Sequence, residues 1–148
     1  MGQQTYEGNI LAALGPVLVD RGFQLRHATV GSIRSSADFR VPVGALDRAP
    51  VGVACAAAYW QRPRCRIVHR LDLRIPPSFL GPDVVTIHDL PPLRFPDEGS
   101  MPRWALASAQ RAACIIAPSE FAADEIREFL RPRQLEVIPY GISPDFRV

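Results

Sequence analysis

The chain has 148 residues, of which 47% are hydrophobic and 22% are charged. This length suits one domain with a substantial core, and the composition excludes a wholly disordered chain. All 17 basic residues are arginines spread along the sequence, and the formal net charge is +2. Nucleic-acid binding is therefore not expected, because such proteins concentrate a larger positive charge on one face.

Three cysteines, Cys55, Cys65 and Cys114, have no paired spacing. An odd number of cysteines without a disulfide framework predicts free thiols in a reducing compartment. The sequence shows no secretory leader pattern and no apolar run of the roughly 18 residues that a membrane span needs. We therefore predict a cytoplasmic protein, and peripheral contact with the inner face of the membrane stays open.

Apolar residues at helical spacing predict a helix over residues 5–21, and Gly22 follows as a C-terminal cap. The dipeptide Gly15-Pro16 lies inside this pattern. Because an interior proline costs about 3 kcal/mol in a helix, we expect a kink or a break there.

The segments that follow this helix carry weaker signals. Residues 23–30 predict a short strand, and the polar residues 31–42 predict an exposed loop. Residues 43–60 are rich in alanine and valine and predict a helix, although Pro50 and Gly52 weaken that prediction.

The second half of the chain alternates between strand and helix patterns. Four short runs that are apolar on both faces predict strands of a buried parallel sheet, at residues 66–69, 83–88, 114–117 and 135–139. Between them lie a helix over residues 102–113, with Pro102 at its first position, and a second helix that Ser119 caps. This alternation predicts an α/β fold with a Rossmann-like, doubly wound parallel sheet. Because the pattern begins with a helix, the first strand of such a fold is expected to be missing.

Ligands of an open parallel sheet bind beyond the carboxyl ends of its strands. Polar residues follow each of the four predicted strands, namely His69, Arg70 and Asp72, then His88 and Asp89, then Ser119 and Glu120, and finally Tyr140 and Gly141. These residues form the candidate site, because the carboxyl ends of parallel strands meet at one edge of a sheet.

Three interpretations of His88 and Asp89 stay open at this point. A neutral histidine can bond a sugar hydroxyl or assist proton transfer, with the neighbouring carboxylate fixing its tautomer. A metal ion could instead be held by this pair together with His69 and Asp72, although adjacent residues of a strand face opposite sides. The pair could also simply close the loop, with Asp89 accepting hydrogen bonds from backbone amides.

Ser119 and Tyr140-Gly141 each have an ordinary structural explanation. Ser119 is a typical N-cap, and the helix that it begins could also direct amides at an anion. Tyr140-Gly141 follows a strand, where a turn is needed and glycine provides the backbone freedom. The sequence contains no GxGxxG, Walker or GxSxG motif. Residue chemistry alone therefore leads only to a polar, histidine-containing edge of an α/β domain.

Three segments in the second half of the chain carry a family resemblance. The first contains VVTIHDL from Val84 and then PLRFP, the second is CIIAPSEF from Cys114, and the third is VIPYGISPDF from Val137. In this order and spacing they resemble the N-terminal domain of the family-4 glycosyltransferases, which have a GT-B fold. The resemblance is strong over residues 66–148, weaker over 3–30 and poor over 31–62.

The chain departs from the family pattern at three positions within these segments. Cys114 and Ser143 stand where the family usually has aspartate, and Tyr140 stands where it usually has asparagine. The first strand of the family's domain and its glycine-rich turn, which approach the donor phosphates, have no counterpart in this sequence.

The resemblance implies an enzyme of two Rossmann-like domains that face each other across a cleft. The N-terminal domain would bind the acceptor and the C-terminal domain the nucleotide-sugar donor, and transfer would retain the anomeric configuration without a metal or other cofactor. His88 would contact the transferred sugar, Asp89 would orient it, and Gly141 would lie near the hinge. The acceptor side would be lined by His69, Arg70 and Asp72.

We therefore predict that residues 1–148 form the acceptor-side half of a retaining glycosyltransferase, inactive without its donor-binding domain or a partner chain. The acceptor is expected to be a carbohydrate, a lipid-linked molecule or another small molecule. The alternative hypothesis is a non-catalytic binding or regulatory module that derives from such a domain and works with a partner chain. A stand-alone phosphatase or nucleotide binder is disfavoured, because the sequence has no phosphate-binding loop motif.

Overall fold

The computed structural model describes residues 2–30, 39–41, 50, 52–53, 56, 65–73, 75–77, 81–95, 97 and 100–141. The chain divides into two units, residues 1–41 and 42–148. Most of the helix predicted over residues 43–60 lies outside the described residues, as does Cys55, although Gly52, Val53 and Ala56 are helical. No helix in the described part of the chain is both long enough and apolar enough to cross a membrane.

The first unit begins with helix α1, which spans Gly2–Asp20. Its C-terminus closes with two backbone hydrogen bonds, from Gly22 to the carbonyl of Val19 at 2.9 Å and from Phe23 to the carbonyl of Leu18 at 2.8 Å. This pattern is a Schellman motif, and it requires a left-handed residue that glycine adopts without strain. Gly22 has a φ of 73°, so the predicted C-terminal cap is confirmed.

Of the kink or break predicted at Gly15-Pro16, the break does not occur, because α1 continues through Pro16. A proline at this position removes one hydrogen bond, the one that its missing N–H would have made to Ala12. Both Ala12 and Pro16 are exposed. The carbonyl that loses its helical partner can therefore bond to water, which reduces the cost of keeping the helix intact.

Two short parallel strands follow α1. Strand β1 spans Ala28–Val30 and strand β2 spans Phe39–Val41, with Ala28 opposite Phe39 and Val30 opposite Val41. The strand predicted over residues 23–30 is thus confirmed at its C-terminal end. The loop predicted over residues 31–42 is wrong at Phe39–Val41, because three residues are too few to show periodicity and their strand conformation depends on pairing with β1.

The second unit is built on a four-stranded parallel sheet. Its strands are β3 (Val68–Arg70), β4 (Asp83–Thr86), β5 (Cys114–Ala117) and β6 (Leu135–Val137), in that spatial order. Each strand pairs in parallel with the next. The prediction of a Rossmann-like α/β fold is confirmed, and the bounds of β5 match the predicted strand.

In the described part of the chain, three helices lie between the last three strands. They are α2 (Pro91–Arg94), α3 (Arg103–Arg111) and α4 (Glu120–Leu130). The two longer helices confirm the predicted helices in type and place. Pro102, predicted at the first helical position of α3, is instead its N-cap, and the helix ends at Arg111, before Ala112.

The core lies between the sheet and the helices α3 and α4. Along the central strands β4 and β5, the side chains on one face are almost completely buried. Val85 is 0% exposed, Ile115 1% and Ala117 0%. Helix α4 contacts β5, β6 and α3, and it contributes Ile126 and Leu130 to the same core. This packing fixes the carboxyl ends of β4, β5 and β6 relative to one another.

The turn that leads into β4 depends on a glycine. A Cβ added to Gly81 would lie 3.0 Å from the carbonyl oxygen of Arg66 and 3.1 Å from that of Cys65. Contacts this short with backbone oxygens leave no room for a side chain. Gly81 therefore allows the segment before β4 to pack against the segment before β3.

Candidate functional site

The carboxyl end of β4 places His88 and Asp89 at the edge of the sheet. The loop that holds them lies between two apolar anchors, since Ile87 is 2% exposed and Leu90 is 0% exposed. His88 is half-buried, and Asp89 is exposed. A loop this short between two buried residues fixes both polar side chains close to the sheet.

His88 contacts Tyr140, which follows β6. The imidazole Nδ1 of His88 and the hydroxyl of Tyr140 form a hydrogen bond, and the two ring centroids are 5.8 Å apart at a tilt of 32°. Strand β5 lies between β4 and β6, so the Tyr140 side chain spans the end of β5 to reach His88. The other ring nitrogen of His88, Nε2, is buried.

His69 lies in the middle of β3 and is half-buried. Its Nε2 forms a hydrogen bond of 2.8 Å with Oγ1 of Thr86 on β4. Burial lowers the pKa of His69 from its ordinary 6.5, because a charged imidazolium loses hydration inside the protein. His69 is therefore neutral at pH 7, and its bond to Thr86 ties β3 to β4.

Arg70, which was predicted to line the acceptor side, is completely buried. Its Nη2 and Nε donate to the carboxylate of Asp83 at 2.6 and 3.0 Å. Its Nη1 donates to the carbonyl of Ile75 at 3.0 Å and to Oγ of Ser108 at 3.2 Å. The structure thus corrects the prediction, since this guanidinium is engaged inside the protein and joins β3, β4 and α3.

A signal for this buried pair was present in the sequence. Asp83 is the first residue of a strand that continues with Val84 and Val85, and a carboxylate in a buried strand requires a cationic partner. The sequence does not show which arginine provides that partner. The register supplies the answer, because Val68 lies opposite Asp83 and Arg70 opposite Val85, so Arg70 and Asp83 share one face of the sheet.

The residues that the sequence suggested as metal ligands, including Asp72, give no sign of a metal site. Asp72 is half-buried in the turn after β3, where its carbonyl accepts a hydrogen bond from the Ile75 amide at 3.2 Å. Among the described residues, no three histidine, cysteine or carboxylate side chains lie close enough together to hold a metal ion. The metal interpretation, which needed His69, Asp72, His88 and Asp89 together, therefore has no support from the geometry.

Ser119 and Glu120 lie at the start of α4, beyond the end of β5. The Ser119 hydroxyl accepts a hydrogen bond of 3.2 Å from the Ala122 amide, which confirms the predicted N-cap. Glu120 is exposed, and its carboxylate lies 3.8 Å from Nη1 of Arg127. Both side chains reach solvent at the same edge as His88.

Gly141 does not have the special backbone conformation that was predicted for it. It is exposed, its φ is not positive, and a Cβ at this position would meet nothing within 4 Å. The chain therefore passes through this position in a conformation that other residues also adopt.

Sequence reasoning missed the ion pairs that hold the segment after His88. Nε of Arg94 at the end of α2 lies 3.1 Å from Oε1 of Glu125, and its Nη2 lies 3.5 Å from Oε2 of Glu128. The Glu125 side chain is only 8% exposed, whereas that of Glu128 is 63% exposed. A carboxylate on the buried side of an amphipathic helix is the signal that pointed to such a partner.

The two described cysteines, Cys65 and Cys114, are free thiols. Burial and the negative charge of Glu136 raise the pKa of the Cys114 thiol. This group therefore stays protonated at neutral pH and is a poor nucleophile. Cys114, one of the two positions where the family usually has aspartate, thus provides no reactive group.

The family comparison covers both the sheet and its carboxyl edge. A family model described as Glycosyltransferase Family 4 matches residues 13–146. No curated protein and no solved structure matches the chain significantly. The matched residues include every described residue of the candidate site, from His69 to Gly141. The chain therefore belongs to Glycosyltransferase Family 4.

Proposed function

We propose that this domain is the acceptor-side half of a retaining glycosyltransferase with a GT-B fold. It transfers a sugar from a nucleotide-sugar donor to an acceptor, and it requires a donor-binding domain or partner chain to do so. The observation that best supports this proposal is the His88–Tyr140 pair at the carboxyl edge of the sheet, in a chain that belongs to this family. The retaining outcome and the nucleotide-sugar donor are carried over from the family resemblance.

The chemistry of the edge suits an acceptor with hydroxyl groups. The exposed side chains at the edge offer a phenol hydroxyl from Tyr140 and a carboxylate from Asp89. Such groups form directional hydrogen bonds with sugar hydroxyls, and the carboxylate accepts them most strongly. Ser119 and Glu120 extend this polar rim beyond β5, and Gly141 leaves space beside Tyr140.

The residues behind the edge support it rather than bind the ligand. Arg70 joins three elements inside the protein, and His69 links β3 to β4. Asp72 closes the turn after β3. It is the remaining candidate for an acceptor contact at the end of that strand. We assign no metal ion or other cofactor to the reaction, and we place the protein in the cytoplasm or at the inner face of the membrane.

The experiment that tests this proposal compares the 148-residue chain with the complete protein that includes a donor-binding domain. Both are incubated with a panel of nucleotide sugars and candidate acceptors, and release of the nucleotide and formation of a glycoside are measured. We expect acceptor-dependent transfer by the complete protein and none by the chain alone. Turnover by the chain alone would contradict the need for a second domain.

A complete protein that transfers no sugar from any donor would instead favour the non-catalytic binding module. Addition of a chelator such as EDTA is a useful control within the same assay. Because the proposal routes no step through a metal ion, the rate should not change when the chelator is added.

A further inference from the structure

His88 and Tyr140 form a pair in which only one member faces outward. Nδ1 of His88 is bonded to the Tyr140 hydroxyl, and Nε2 is buried. Tyr140, by contrast, is 50% exposed. In this arrangement both imidazole nitrogens are turned toward the protein, whereas the phenol lies at the surface of the edge.

We propose that Tyr140, rather than His88, is the member of the pair that contacts a hydroxyl of the acceptor. His88 is then a positioning residue, whose Nδ1 accepts a hydrogen bond from the phenol O–H and whose own proton is on Nε2. This inference rests on the proposed glycosyltransferase function for the identity of the ligand. The hydrogen-bond assignment does not depend on that function.

The direction of the hydrogen bond follows from the two groups. A neutral imidazole has one donor nitrogen and one acceptor nitrogen, and a phenol hydroxyl can do either. The nitrogen lone pair of a neutral imidazole is a stronger hydrogen-bond acceptor than the oxygen of a neutral phenol, and the phenol O–H is a good donor. The stronger arrangement is donation by Tyr140 to Nδ1, which places the imidazole proton on Nε2.

The geometry explains why a tyrosine makes this contact. Neighbouring strands are spaced by about 4.8 Å, so the ends of β4 and β6 lie roughly 9–10 Å apart with β5 between them. A long side chain is needed to span that gap. Tyr140 thereby reaches from the end of β6 across β5 to His88.

A phenol hydroxyl can donate one hydrogen bond and accept another at the same oxygen. In the proposed arrangement Tyr140 donates to Nδ1 of His88 and accepts from a hydroxyl of the ligand. The hydrogen bond to His88 fixes the direction of the Tyr140 hydroxyl. Tyr140 in turn orients the hydroxyl of the acceptor that it contacts. The pair thus positions an acceptor oxygen and involves no covalent step.

The hydrogen-bond assignment can be tested on this chain by nitrogen NMR of the histidine rings. In the unmodified chain we expect Nδ1 of His88 to show no attached proton and a resonance characteristic of a nitrogen that accepts a hydrogen bond. Tyr140→Phe should move that resonance toward the position of an acceptor without a donor. Tyr6→Phe, the same chemical change on helix α1, should leave it unchanged.

Two results of the NMR experiment would overturn the assignment. One is a proton attached to Nδ1 in the unmodified chain, because the phenol would then be the acceptor. The other is an Nδ1 resonance that does not respond to Tyr140→Phe. Since Tyr140 is half-exposed and the change removes one oxygen, loss of folding is not expected to obscure either result.

The ligand contact is tested by kinetics of the complete protein. Tyr140→Phe should raise the KM for the acceptor by about tenfold, the effect of losing one hydrogen bond of about 1.4 kcal/mol, while the KM for the donor is unchanged. His88→Gln should retain most of the acceptor affinity, because its side-chain oxygen can accept a hydrogen bond from the phenol O–H. His88→Ala should lose that affinity.

The inference is wrong if Tyr140→Phe leaves the acceptor KM unchanged while both substitutions of His88 raise it. That outcome would return the ligand contact to His88 and would leave the proposed function intact. Absence of any transfer by the unmodified complete protein would instead contradict the proposed function, whereas the NMR result would still decide how the two side chains are bonded.

Discussion

The ends of β3 and β4 carry similar polar residues in opposite environments. Arg70, the last residue of β3, is buried completely against Asp83, whereas His88 lies two residues beyond the end of β4 and only half-buried. Both residues were expected at the candidate site, because ligands bind beyond the carboxyl ends of parallel strands. Arg70 still lies within the paired part of its strand and belongs to the packing, whereas His88 lies just past its strand, at the candidate site.

The largest loss of stability is expected on substitution of Arg70. Arg70→Met should reduce the free energy of unfolding by about 3–5 kcal/mol, because it leaves the buried Asp83 carboxylate without its cation. Urea denaturation of the chain measures this loss. Arg133→Met, at an exposed arginine, provides the matched control and should change the stability by less than about 0.5 kcal/mol.

A loss at Arg70 as small as that of the control would mean that the guanidinium is not needed for packing. The predicted ligand role of Arg70 would then have to be considered again. A second variant sharpens the result, because replacing Arg70 and Asp83 together by apolar residues of similar size should recover much of the stability.

A smaller effect is expected at the ion pair that holds the segment after His88. Arg94→Met should reduce the free energy of unfolding by about 1–2 kcal/mol, because the nearly buried Glu125 carboxylate loses its cation. The loss is smaller than at Arg70, since Arg94 is 42% exposed and its charge is partly screened by solvent. Thermal or urea unfolding reports this loss. Glu128→Gln removes only the exposed partner at 3.5 Å and should change the stability by no more than about 0.5 kcal/mol.

Equal effects of Arg94→Met and Glu128→Gln would show that burial of Glu125 adds nothing to the pair. In that case α2 would be held by its apolar contacts alone, such as the buried Leu90. The loop of His88 would still be fixed between Ile87 and Leu90.

The smallest effect is expected from His69, and it depends on pH. Burial lowers the pKa of His69 in the folded chain below 6.5, so the unfolded chain binds more protons in the window just below pH 6.5. The contribution of His69 to stability is therefore fully present above pH 6.5 and is lost as the pH falls through the folded pKa. Urea denaturation at pH 7.5, 6.5 and 5.5 should show this loss.

His69→Gln keeps a polar group near Thr86 but does not titrate, so it should reduce the dependence of stability on pH within that window. An unchanged pH dependence in this variant would indicate that some other group is responsible. It would also remove the argument that the partial burial of His69 keeps it neutral.

The sequence was sufficient where a structure depends on neighbouring residues. Strand β5 has the predicted bounds because four apolar residues, from Cys114 to Ala117, are followed at once by Pro118 and the N-cap Ser119. Helix α4 begins where the cap places it. The Rossmann-like alternation of strands and helices was likewise visible, since short apolar runs mark the strands and helical start and stop signals mark the helices between them.

The sequence was insufficient where a structure depends on distant partners. Strand β2 exists because Phe39–Val41 pairs with β1, and no local pattern marks it. The predicted end of β3 came one residue too early and that of β4 two residues too late, because a run of apolar residues does not show where the hydrogen-bonded ladder stops. These shifts decided which polar residues were assigned to the site.

The candidate site shows the same division. His88 was identified from its position after a strand and from the family resemblance, both of which are visible along the sequence. Tyr140, which His88 contacts, lies 52 residues farther along the chain, and predicting this contact requires the spatial order of β4, β5 and β6. The burial of Arg70 required both the register of β3 against β4 and the identity of its partner.

The most direct test of this account measures stability and turnover for two variants of the complete protein. His88→Ala should lower turnover by about tenfold to a hundredfold, a loss of roughly 1.4–2.8 kcal/mol in transition-state stabilisation, while changing the free energy of unfolding by less than about 1 kcal/mol. Arg70→Met should show the reverse, with a large loss of stability and near-normal turnover of the fraction that remains folded. If both variants lose turnover and stability in the same proportion, the ends of β3 and β4 do not differ in role, and the assignment of the site to the end of β4 is contradicted.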